Sequence, residues 1–328
     1  MSAAALSLVF ATETFAADVT WNVSLWGKRR AFTEHVEKLA EEVSAKTDGK
    51  FELNLHYGEA LSKSRENLDG ISFGAFEMAQ ICASYHPDKN PSLTVLELPF
   101  LGVEDLSEET KVSMKLYEHP AVKEDLGRWN AMALMPSPMP QYNFAGKGEA
   151  PEAISDFEGM RVRALGGIGQ LMEAVGAVPT SVTASETYQA IDSGTVRAAS
   201  FAPHAHLSFK VVEVADWWTK NLNPGTVQCP VVVNIDAYEA LPDDFKAALD
   251  SSVQPALAHY MATYDKVYEK WWPELEKRDV TQVEFSEQEL AAFSEKAGPI
   301  HKAWVEEQSA NGLPAQEILD MVKSTIAE

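Results

Sequence analysis

This sequence predicts a two-lobed α/β fold with one long kinked helix spanning both lobes. Three observations carry that expectation. The chain has 328 residues, long for one hydrophobic core. Two strand–helix series are separated by the proline run Pro136, Pro138 and Pro140. An apolar spacing of three to four residues then continues from Phe245 to Trp271, a length that would bridge two lobes. The composition, 45% hydrophobic and 23% charged, is that of an ordinary folded chain, so disorder is expected only at the ends.

In the first series, residues 19–25 alternate as a strand, and 31–46 place Phe32, Val36, Leu39 and Val43 on one helical stripe. Thr47-Asp48-Gly49-Lys50 closes that helix with a left-handed cap. A strand over 51–57, a helix over 64–71 and a strand over 78–83 follow, an order that implies a mainly parallel sheet. The second series begins near Asn143. It continues with a strand over 160–163, a turn over 166–169, a helix over 170–175, a helix over 185–192 and a strand over 195–201. Residues 229–234 form another strand. Leu241-Pro242-Asp243-Asp244 then starts the long helix, with Pro near its first position and acids in its first turn. Pro255 is expected to kink it. The segment after Ser286 reads as helical. Residues 1–17 resemble an export leader, 18–142 with 231–271 form the first lobe, and 143–230 with 272–328 form the second.

The leader reading rests on the apolar stretch from Ala3 to Ala11 and on the small residues Ala16-Ala17, although no Lys or Arg precedes Lys28. Nothing later approaches the length of a membrane span. A net charge of −22 disfavours nucleic-acid and anionic-lipid partners, so an anionic ligand would require a local cation. Cys82 and Cys229 are the two cysteines; they could pair, or remain as two buried thiols.

Six segments in order resemble the periplasmic substrate-binding proteins of tripartite ATP-independent (TRAP) transporters. They are Thr47-Asp48-Gly49-Lys50, Glu97-Leu98-Pro99-Phe100-Leu101, Asp156 to Arg163, Gly176-Ala177-Val178-Pro179, Ser185 to Ala190, and Leu241-Pro242-Asp243-Asp244. The resemblance implies a periplasmic-binding-protein-like fold that closes around an organic acid and delivers it to one small and one large integral membrane subunit. It also implies that Arg163, the second arginine of its strand, grips the ligand carboxylate. Two departures point to a monocarboxylate with an apolar or aromatic body: Asn143 stands where many relatives carry a second cation, and Phe201 stands where a polar contact is usual.

The residues agree with that assignment. On a strand Arg161 and Arg163 share a face, and Arg163 is nearer the carboxyl end, where open α/β sheets bind ligands. A guanidinium fork matches a carboxylate with two charge-assisted bonds. Trp26, Tyr85 and Trp218 are candidate aromatic walls beside Phe201, and Asn143 is a candidate polar contact. Glu186 is expected to cap or pair within its lobe. His204 and His206 amount to half a metal site, and a loop role is expected for them. Gly167-Ile168-Gly169 imitates a dinucleotide turn, but Met172 stands at its third glycine, which leaves an NAD-type oxidoreductase as a weak alternative. A receptor for an ABC importer or a sensor would share the same physics. No enzyme activity, metal or cofactor is expected, and the receptor is expected to be a monomer.

Overall fold

The computed structural model describes residues 17–328, so the expected leader, Ala17 apart, lies outside the described residues. In chain order the strands are β1 (Val19–Ser24), β2 (Phe51–His56), β3 (Met78–Gln80), β4 (Ala131–Pro136), β5 (Asn143–Gly146), β6 (Arg161–Arg163), β7 (Val178–Thr180), β8 (Ala198–Phe201), β9 (Trp217–Thr219), β10 (Pro230–Asn234) and β11 (Thr281–Val283). They form two sheets, ordered β2-β1-β3-β10-β4 and β11-β9-β5-β8-β6-β7. One sheet organises each lobe.

In the first sheet β1 runs parallel to both β2 and β3, as the strand–helix alternation requires. The sheet is nevertheless mixed, because β10 returns from the second lobe and inserts antiparallel between β3 and β4. The second sheet is mixed too: β6 pairs parallel with β7 and β8, while β5 lies antiparallel to β8 and β9. The mainly parallel expectation missed these returning strands, since a strand that comes back after a long excursion leaves no local alternation of elements.

Helix Glu34–Lys46 buries Val36, Leu39 and Val43 as its spacing predicts, and it ends on Asp48 and Gly49, both with positive φ. Helix Asp243–Lys277 runs for 35 residues, about 52 Å at the α-helical rise. Phe245, Leu249, Val253 and Leu257 pack with Trp21, Val36 and Leu39 in the first lobe. Trp271 and Leu275 pack with Trp217, Trp218 and Phe285 in the second. The helix continues through Pro255 and Pro273.

Two local expectations change. Residues 166–169 are not a turn before a helix: Gly166–Glu173 is helical from the first glycine. A Cβ on Gly166 or Gly167 would come within 2.3 or 2.2 Å of Glu97 atoms, so the glycines permit a close approach of the first lobe rather than shaping a phosphate cradle. The end of the chain also departs from its expected lobe. Trp304, Ile318, Leu319 and Val322 share a core with Leu93, Val95, Leu116 and Val122 of the first lobe. Helix Ala315–Ile326 carries that apolar stripe, and its complement is the surface of helix Leu106–Tyr117.

Cys82 and Cys229 form a disulfide, with Cα atoms 3.9 Å apart. They face each other because the β3–β10 pairing extends past both strand ends, through Ile81 N–H to Pro230 O and Ala83 N–H to Gln228 O.

Candidate ligand-binding site

The carboxyl ends of β1, β6 and β8, the segment after β3 and the start of helix Pro203–Ser208 converge between the lobes. The cavity they enclose is lined by Arg163, Arg30, Trp26, Tyr85, Phe201 and Phe209 among others. It is narrow, about 20 Å³, well below the ~300 Å³ at which small-ligand pockets begin. A larger cleft of about 700 Å³ lies nearby, but its cations Lys89 and Arg128 are paired with Asp69 and Asp125.

Arg163 is 1% exposed. Its Nε–H donates to Val182 O at 3.0 Å and its Nη1–H to Ser200 O at 2.8 Å, and its Cζ sits 4.2 Å from the Phe201 ring centre. Two carbonyls and an aromatic face therefore hold the guanidinium plane. Burial draws its pKa down, and among the described residues it makes no ion pair. A cation held buried without a carboxylate is poised for one from outside the chain. Arg161, two residues earlier on the same strand, is exposed and donates to Gly194 O, a structural role.

Tyr85 stands at the seam. Its hydroxyl accepts the Ala184 N–H at 3.0 Å, joining the first lobe to the second. Arg65 donates to Ser181 O and Oγ across the same seam. Trp26 lies nearly parallel to Phe209 at 6.3 Å, and its Nε1–H is buried without a partner among the described residues.

Four of the six expected site residues, Arg163, Phe201, Trp26 and Tyr85, thus line one cavity. Asn143 and Trp218 do not. They border a separate depression with Trp271, where the Asn143 amide donates to Thr219 O and Trp218 meets Trp271 edge-on. The strand β5 side chain is drawn toward β9 rather than the seam. Glu186 accepts from Thr183 N–H and Oγ1–H, capping its own helix. His204 and His206 lie on helix Pro203–Ser208 instead of a loop. His204 Nε2 meets the Tyr264 hydroxyl at 3.0 Å and His206 Nε2 meets Asn143 O at 3.3 Å, so they engage different partners.

Arg30 is the residue that sequence reading missed. It follows Trp26 by one helical turn's worth of residues, just beyond the carboxyl end of β1, a position that itself marks ligand contacts in such sheets. Its guanidinium carbon lies 4.8 to 4.9 Å from the ring centres of Trp26, Phe32 and Phe209. Burial lowers its pKa to about 10, which leaves it charged at neutral pH.

Comparison with known proteins gives a consistent picture. The family model for bacterial extracellular solute-binding protein, family 7, matches residues 23–308. The C4-dicarboxylate-binding periplasmic protein DctP of Rhodobacter capsulatus is 25% identical over 305 residues, covering 89% of this chain and 85% of its own. A marine metagenome TRAP solute-binding protein specific for aromatic acid ligands, solved with 3-hydroxybenzoate, superposes with a TM-score of 0.85 at 18% identity, covering 95% of this chain and 99% of its own. Another marine metagenome TRAP protein, specific for pyroglutamate, superposes with a TM-score of 0.83 at 23% identity, covering 94% and 100%.

Proposed function

Because this chain belongs to family 7 of the bacterial extracellular solute-binding proteins, we propose that the cavity between its lobes captures a small organic acid with a flat, apolar body, its carboxylate gripped by Arg163. The protein is a periplasmic transport receptor of the TRAP type, not an enzyme. Delivery falls to separate TRAP membrane subunits, as the family implies; among the described residues no helix is long and apolar enough to cross a membrane. The receptor acts as a monomer and handles no nucleic acid.

One observation carries the ligand reading: a buried guanidinium with no acidic partner among the described residues, walled by aromatic rings contributed by both lobes. Two charge-assisted bonds of roughly 1.5–3 kcal/mol each would supply a large part of the ~8 kcal/mol that micromolar affinity requires. Bonds such as Ala184 N–H to Tyr85 Oη form only across the seam, so a ligand touching both lobes favours the closed state by differential affinity. Trp26 and Phe209 favour a planar body over a sugar acid, whose hydroxyls would lack partners on those faces. Aromatic acids and pyroglutamate are the named ligands of two structural neighbours, which supports the same class. The lobes divide, in this reading, into 18–142 with 230–271 and 297–328, and 143–229 with 272–296.

A thermal-shift screen over aromatic acids, keto acids, dicarboxylates and uronates tests the proposal. A flat organic acid should raise the melting temperature of the wild type and leave Arg163→Ala unmoved. Stabilisation only by sugars without an acid group, or an equal shift in the variant, would overturn it.

A further inference from the structure

We propose that Arg30 is a second anchor for an anionic group, and that the cavity's ligand is a compact, flat dianion whose two acidic ends are held by Arg163 and Arg30. The inference rests on reading this cavity as the organic-acid site, and it names the class of acid.

Arg29 pairs with Glu34 and Glu37 at the surface. Arg30, its neighbour, makes no ion pair among the described residues. Its Nη1–H donates to Lys28 O at 3.1 Å, while its Nε is shielded from solvent and has no partner among the described residues. Three rings at 4.8 to 4.9 Å flank this half-buried cation and displace part of its water. Cation–π attraction offsets only part of the cost of removing a charge from water, so the arrangement is completed by an anion.

Gly27 makes room for this pose. A Cβ there would fall 1.7 Å from Arg30 Nη1, and Gly27 has no positive φ, so glycine is needed for space rather than backbone conformation. The cation is thus accommodated in the cavity wall by a specific neighbour. It is linked to Arg163 through ring contacts: Arg163 lies over Phe201, Phe201 stacks at 5.7 Å on Phe209, and Arg30 lies over Phe209. Rings nearly parallel to one another, Trp26 with Phe209 at 9° and Phe201 with Phe209 at 19°, favour a flat body between the charged ends. A monoanion would neutralise one guanidinium and leave the other uncompensated. Asn143 stands where many relatives carry a second cation and led the sequence reading to a monocarboxylate; Arg30 would supply that second cation from a different strand end.

The test is calorimetric titration of the purified mature protein with benzoate and with the 1,2-, 1,3- and 1,4-benzenedicarboxylates. At least one dicarboxylate should bind the wild type tenfold or more tightly than benzoate. Arg30→Met, which keeps the stem and removes the charge, should weaken that dicarboxylate at least tenfold and benzoate less than threefold. Gly27→Ala, which displaces the guanidinium but keeps the charge, should do the same, with folding of both variants checked by circular dichroism. The proposal is overturned if benzoate matches every dicarboxylate, or if Arg30→Met weakens both ligands alike or neither. It is equally overturned if no benzene acid binds while another organic acid does. Arg163→Ala separates the two readings. Loss of all binding in that variant with no effect of Arg30→Met would retain the organic-acid site and reject the second anchor, whereas binding undiminished in Arg163→Ala would reject the site itself.

Discussion

Replacing Arg163 by lysine keeps the charge and removes the fork, and the structure separates the two consequences. Of the five guanidinium N–H groups, two are spent on Val182 O and Ser200 O and a third on the Tyr85 hydroxyl, leaving two for a ligand, as many as a carboxylate fork needs. A lysine has three in all. It must either abandon one carbonyl or give the carboxylate a single bond. Losing one charge-assisted bond costs about 1.5–3 kcal/mol, which is about 10- to 150-fold in affinity. Orphaning a buried carbonyl costs about 1–3 kcal/mol and appears in the melting temperature of the free protein, as a drop of a few degrees.

Calorimetry with the best ligand from the screen, alongside scanning calorimetry without it, reads both quantities. Arg161→Lys is the control. That side chain lies on the same strand but is exposed, so its replacement should change affinity by less than about twofold. An Arg163→Lys affinity within threefold of wild type would refute the fork. A loss equal to that of Arg161→Lys would refute the distinction between the two arginines.

Three further outcomes follow from the seam and the core. Tyr85→Phe removes the acceptor of the Ala184 N–H and a hydrogen-bond partner of Arg163, so ligand affinity should fall by at least about 2- to 12-fold, the ~0.5–1.5 kcal/mol of one hydrogen bond; an unchanged dissociation constant would exclude both bonds from closure. The Cys82–Cys229 bridge closes a separation of 147 residues, for which loop-closure entropy sets an upper limit of about 5 kcal/mol. Cys82→Ser with Cys229→Ser should therefore lower the melting temperature by up to about 10 °C, and no change would mean the bridge does not constrain the unfolded chain. Burial lowers the pKa of His35 and of His206 to about 3, of His86 to about 4, and of His204 well below its ordinary value. These folded-state values lie below the unfolded one, so their contribution is complete above about pH 6.5 and is lost as pH falls toward 3. Burial raises Glu97 to about 7 and holds Glu109 well above its ordinary value, which acts in the opposite sense from about pH 4.5 upward. Four histidines outweigh two glutamates, so the melting temperature should fall from pH 6.5 to 4.5, and a rise across that window would contradict the balance.

Legibility in the sequence followed locality. The helix with Val36, Leu39 and Val43, the left-handed cap at Asp48-Gly49 and the long helix are encoded by neighbours in sequence, and all form as read. Arg163 was legible because a strand fixes which way its side chains point. What sequence could not reveal depends on returning segments. Strand β10 enters a sheet begun some 200 residues earlier, and the last helix packs on the first lobe. Asn143 was read from its position in a strand, but its amide is claimed by Thr219 O, contributed by a strand whose arrival no local pattern announces. Arg30 escaped notice for the converse reason: Gly27-Lys28-Arg29-Arg30 resembles a solvated basic loop. Only the three rings that gather from separate elements distinguish its last residue from the two before it.

That distinction resolves how so acidic a chain can hold an acid at all. A net charge of −22 opposes an approaching anion, yet charges on the surface are screened over roughly 8 Å at physiological ionic strength. Inside the seam the balance reverses. Arg163 is withdrawn from water, Arg30 is flanked by three rings, neither pairs with a carboxylate of the described residues, and their interaction with an anion is strengthened by the same low-dielectric walls. The acidic surface and the cationic cavity are therefore compatible because they act at different ranges. Closure of the lobes moves the ligand from the first regime into the second, and this makes capture depend on contacts from both halves rather than on attraction from a distance.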